Sequence, residues 1–117
     1  MQKKSFNTPD ETRTPPKTKV EVVKIGDKTL MRTTFDPGWK WSEHVKPTVG
    51  TDSCQVHHLI NIISGQMKVV MDEGNEIEVG PGDVADIPSG HDAWVIGDEP
   101  LIGIDIVGGA SYAKPGN

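Results

Sequence analysis

Cysteine is almost missing from this 117-residue chain: Cys54 stands alone, so no internal disulfide can form. Positive charge is in deficit as well. Twelve Lys and Arg against seventeen Asp and Glu give a formal charge of −5 and a pI near 5.2, which excludes nucleic acid and anionic membrane as natural partners. No long hydrophobic run exists. The strongest, Leu59 to Ile63, is broken by Asn61 and is far too short to span a bilayer. The basic start, Met1-Gln-Lys-Lys-Ser, is followed by no apolar stretch of the secretory type. A soluble protein of a reducing, cytoplasmic setting is the simplest expectation. Helical periodicity is absent from every window of eleven or more residues, and there is no internal repeat or low-complexity tract.

What the chain does have is turns. Thirteen glycines and nine prolines punctuate short β-rich runs, the pattern of an all-β protein. A chain of this length fits one domain and buries roughly 65% of its unfolded surface, enough for a core without staples. Residues 1–19 are polar, carry Pro9, Pro15 and Pro16, and read as an extended or disordered arm. Residues 20–107 read as the β domain and 108–117 as a tail. Val20 to Ile25 and Lys28 to Phe35 flank Gly26-Asp27, a hairpin signal; Trp39 to Val45 reads as a further extended segment, and Lys46 to Ser53 as a loop. Gln66 to Met71 and Asn75 to Val79 flank Glu73-Gly74. In that hairpin Met67, Val69, Met71, Ile77 and Val79 alternate with polar residues and are expected to face the core. Leu101 to Val107 closes the series.

Residues 80–94 hold most of the information. Pro81-Gly82 turns the chain, Asp83 to Ile87 makes a short strand, Pro88-Ser89-Gly90 turns it again, and His91 starts a strand reaching Ile96. Gly82, five residues, Pro88 and Gly90 match the second motif of the cupin superfamily, Gly-x5-Pro-x-Gly-x2-His-x3-Asn. Ala93 stands at its histidine position and Gly97 at its asparagine position. Gly38, five residues and His44 match the start of the first motif, Gly-x5-His-x-His-x3,4-Glu-x6-Gly. Lys46 takes its second histidine position, and His58, seven before Gly65, takes the place of its glutamate. Over residues 20–107 the chain thus resembles small single-domain cupins. The resemblance implies a double-sheet jelly-roll barrel, a divalent metal (zinc, iron, nickel, manganese or copper) among inward-facing motif residues, a small-molecule ligand and pairing as homodimers.

Within that frame the expected metal ligands are His44, His58 and His91. Neutral imidazole suits such ions, and three would leave a fourth position open to water or substrate. His91 lies two residues before the motif's ligand position, on the same strand face and one step nearer the barrel mouth. His57 and His58 point to opposite faces; the count back from Gly65 favours His58, and a one-residue slip would exchange them. Lys46, if inward, would repel a cation and attract a carboxylate or phosphate. Trp39, Trp41 and Trp94 are candidates for an aromatic wall, or for core or interface packing. Cys54 reads as a small buried or loop thiol, and Asp86 and Asp92 as candidates to orient a histidine.

Two functions fit one barrel. One is a metal-dependent enzyme acting on a small organic molecule, with His57 and Glu43 the nearest candidates for proton transfer. The other is a non-catalytic module that binds a metabolite or anion without metal; a purely structural role is a third. The catalytic residues stay unknown at this point.

Overall fold

The computed structural model describes residues 1–106 and 112–114. The expected strand end at Val107 and the tail positions 108–111 and 115–117 lie outside the described residues. Strand β1 (Glu11–Arg13) forms within the N-terminal segment and pairs with β2 (Thr18–Ile25), which turns at Gly26-Asp27 into β3 (Lys28–Phe35). Two helical turns follow, α1 (Trp41–His44) and α2 (Lys46–Val49). Then come β4 (His58–Ser64), β5 (Gln66–Met71), β6 (Glu76–Val79), β7 (Val84–Ile87), β8 (His91–Ile96) and β9 (Leu101–Asp105).

Every pairing is antiparallel. One sheet has the order β1-β2-β3-β9-β4-β7, the other β6-β5-β8. Together they make a double-sheet jelly roll, with the alternate apolar residues of each sheet turned to a common core. Val20, Val22, Met31, Ile62, Val69 and Leu101 are each at most 2% exposed. Phe35 and Trp39 stack with ring centroids 3.7 Å apart, and Trp39 Nε1 donates to Thr18 Oγ1 at 2.9 Å, so this large ring is buried without an unmade hydrogen bond. Among the described residues no helix is long and apolar enough to cross a membrane.

Two expectations are corrected. The segment Trp39 to Val45 is not an extended strand: Lys40 makes one bridge to Trp94, and the chain then coils into α1. Asp92 Oδ1 accepts from Ser42 N at 3.1 Å and supplies a partner to one of the orphan amides of that first turn. Pro47 sits at the start of α2, where its missing N–H costs nothing, and Gly50 ends it in the left-handed region at φ 86°. The second correction is Ile77, which is 48% exposed. It lies on β6, an edge strand of the three-stranded sheet, where only Val79 reaches the core.

Gly65 shows why one motif glycine is needed. Its φ is +80°, and a Cβ there would lie 2.3 Å from the carbonyl oxygen of Pro100. Only glycine permits both the conformation and the approach that joins β4 to β5 beneath the turn before β9.

Candidate metal centre

Between the sheets lies a cavity of about 30 Å³, lined by His58 and His91 and otherwise mostly by apolar side chains such as Trp39, Trp41, Ile60 and Ala93. That volume holds a water or an ion and little more. His58 opens β4 and is 7% exposed; His91 opens β8 and is 4% exposed. Their ring centroids are 5.3 Å apart, nearly edge to face. The alternation that turns His58 inward turns His57 out, where it is half-exposed and pairs with Asp86.

Cys54 completes the group. An antiparallel bridge couples it to His91: Cys54 N donates to His91 O at 2.7 Å, and Gly90 N donates to Cys54 O at 2.7 Å. Bridged residues carry their side chains to the same side, so the thiol is delivered next to the imidazole. Cys54 is fully buried, with Sγ 3.7 Å from His58 Nε2. One ligand atom from each of Cys54, His58 and His91 lies within 4.8 Å of the others.

The far side of each ring is already committed. Asp105, directly across β9 from the core side of β4, accepts from His58 Nδ1, and Pro88 O accepts from His91 Nδ1 at 2.8 Å. A carboxylate and a carbonyl only accept, so both rings carry their proton on Nδ1 and keep a lone pair on Nε2. Carboxylate or carbonyl behind imidazole is the support that orients a metal-binding histidine. Burial, reinforced by repulsion from His58, lowers the His91 pKa to about 4, so that ring is neutral at neutral pH. Burial pushes the Cys54 thiol up to about 12. The order Cys54–His58–Asp105 has the layout of a nucleophile, base and orienting acid, but a fully buried, protonated thiol is poorly set for attack.

The other candidates are placed elsewhere. His44 lies on α1, outside the group, and its Nδ1 is turned back onto Lys40, 3.0 Å from the backbone N and 3.2 Å from the carbonyl oxygen. Lys46 begins α2 and does not line the cavity. Trp39 and Trp41 do line it, and Trp41 Nε1 is buried without a hydrogen-bond partner among the described residues. Trp94 faces outward, with Lys40 Nζ 5.2 Å and Lys68 Nζ 6.0 Å from its ring centroid. Tyr112 closes another wall, edge-on to His58 at 5.0 Å, while its carbonyl oxygen accepts from Arg13 Nη1 at 2.5 Å. Sequence reasoning missed Asp105 and the role of Cys54. The spacing Cys54-x3-His58 was the available sign, and Asp105 had none.

No family model matches the chain, and no curated protein matches it by sequence. Solved structures do. A cupin-like protein of Thermotoga maritima superposes with a TM-score of 0.55 at 17% identity, over 84% of this chain and 72% of that one. This is a cupin-like fold. The polyketide cyclase RemF of Streptomyces resistomycificus has the same arrangement, with a TM-score of 0.63 at 19% identity over 92% of this chain and 78% of its own. A protein of unknown function from Rhizobium leguminosarum gives 0.61 at 19% identity, over 92% and 96%. At such identities the likeness to these structures is one of fold, and chemistry must come from the residues.

Proposed function

We propose that this cupin-like chain binds one transition-metal ion through Cys54, His58 and His91 and presents it to a small molecule inside the barrel. The observation that carries the reading is the state of the two rings. Both Nδ1 atoms are held by acceptors, so two Nε2 lone pairs are left beside a buried thiol. Cysteine sulfur and imidazole nitrogen are the donors of zinc, copper and iron sites, not of magnesium or calcium. Such an ion supplies Lewis acidity, or redox chemistry where its electron count allows. The protein's part is to fix the imidazoles, exclude bulk water and limit what enters. With room for about one water, the cavity admits a ligand only in exchange for that water and with some movement of its lining.

That a cupin-fold neighbour is a polyketide cyclase supports a small organic molecule as the substrate class. A metal-free anion site draws less support, because no Lys or Arg lies among the described residues that line the cavity. The site needs Cys54 reduced, which suits a reducing compartment such as the cytoplasm.

Metal analysis of the full chain, purified without a histidine tag, tests the reading. One equivalent in the wild type and in His44→Ala, with loss in His58→Ala and His91→Ala, is expected. Metal that survives in a Cys54→Ser, His58→Ala, His91→Ala triple variant would sink the assignment, as would a wild type that takes up no metal.

A further inference from the structure

We infer that Trp41 selects and orients the small molecule in this barrel, by donating its indole N–H to the oxygen of a compact carbonyl compound. The inference rests on the reading above that a small molecule enters the cavity, and it needs no particular metal. Trp41 is 1% exposed and borders the cavity, and its Nε1 has no acceptor among the described residues. A buried donor left unpaired is costly, and no other buried side-chain nitrogen or oxygen among the described residues is in that state. Trp39, on the same cavity, shows how an indole is treated where it only packs: Thr18 Oγ1 accepts from its Nε1 at 2.9 Å.

The donor is also held in place. Trp41 O accepts from Val45 N at 2.9 Å, and the next amide, Ser42 N, donates to Asp92 Oδ1 at 3.1 Å. Asp92 follows His91 in β8, so this bond ties the start of α1 to the strand that carries one of the two imidazoles. The walls complete the selection. Phe35, Trp39 and Tyr112 present aromatic surface, and Ala93, the next inward residue after His91, adds only a methyl group. No Lys or Arg lines the cavity among the described residues, so an entering oxygen is met by the indole N–H and not by a basic side chain. A carbonyl oxygen has two lone pairs; it can take this N–H with one and keep the other for the centre. A molecule of the same shape without the oxygen leaves the N–H unpaired, which is how a mostly apolar pocket tells two isosteres apart.

The experiment is an NMR titration of the full 15N-labelled chain, metal-stripped and again with one equivalent of zinc. The probes are cyclobutanone and its oxygen-free isostere methylenecyclobutane. The three indole resonances are assigned with the Trp→Phe variants. In the wild type, cyclobutanone should move the Trp41 indole proton downfield and leave that of Trp39 in place. Trp41→Phe should weaken cyclobutanone by roughly 10-fold, the worth of one buried hydrogen bond, and leave methylenecyclobutane within about 2-fold. Should that variant fail to fold, the indole resonance of the wild type decides the point by itself. Cyclobutanone bound with the Trp41 resonance unmoved, or both probes weakened equally by Trp41→Phe, overturns the inference while a small-molecule cavity stands. A chain that takes up neither probe in either form overturns both.

Discussion

Asp105 on β9 accepts the Nδ1 proton of His58 on β4, and this one bond decides which nitrogen of His58 faces the thiol of Cys54. Register brings the two together. Ile60 pairs with Asp105, so the carboxylate enters the core layer beside the start of β4. Asp105→Asn keeps the shape but replaces an anionic acceptor with a weaker neutral one. Metal affinity should fall by about 10- to 100-fold in that variant, as read by chelator competition. An unchanged affinity would remove Asp105 from any supporting role.

His91 makes the metal-free protein acid-sensitive. Its folded pKa, lowered to about 4 by burial, lies below the ordinary value of 6.5, so the unfolded chain takes up the proton first as pH falls. Stability contributed by the neutral ring is present above pH 6.5 and is lost on the way down to about 4. Between pH 7 and 4.5 the loss is on the order of 2–3 kcal/mol. Urea midpoints of wild type and His91→Gln, compared across that window, isolate this part from the carboxylates. Equal pH slopes for the two proteins would contradict it.

Trp39 and Trp41 line one cavity yet should respond differently to the same change. Trp39 Nε1 is bonded to Thr18, and Trp41 Nε1 has no partner among the described residues. Trp39→Phe loses a hydrogen bond and should cost about 1–3 kcal/mol. Trp41→Phe loses packing but also removes an unsatisfied buried donor, so its net cost should stay within about 1 kcal/mol. Chemical denaturation of both variants checks the order. A larger loss at Trp41 than at Trp39 would show that its N–H has a partner in solution.

Gly65→Ala should destabilise by about 2–4 kcal/mol, combining a left-handed backbone with a Cβ forced against Pro100 O. A thermal or urea melt gives the number. A change below about 0.5 kcal/mol would mean that the turn before β9 yields easily.

Most strands were legible because their ends carry Gly or Pro, as in β3 and β8, or because their apolar residues alternate, as in β5. The helical turns were not. Trp41, Val45 and Val49 recur every four residues and are all buried, but Val45 is the hinge between two four-residue helices, too short for any window to register. His58 and His91 were readable from glycine spacing on either side. Cys54 was read only as a small buried or loop thiol, because its place depends on a bridge to a residue far along the chain. Asp105 depended on the order of strands, which pairs β9 with β4 across the whole second half of the molecule. Local patterns reach neither.

The two imidazoles of the centre are backed unequally. Behind His58 stands an anion, and behind His91 a peptide carbonyl. The anion draws its proton harder and leaves the opposite nitrogen the richer in electrons. The pair is therefore a stronger and a weaker base sharing one cavity, and the centre has a built-in left and right. Anything electron-poor held between them is pulled toward the six-stranded sheet.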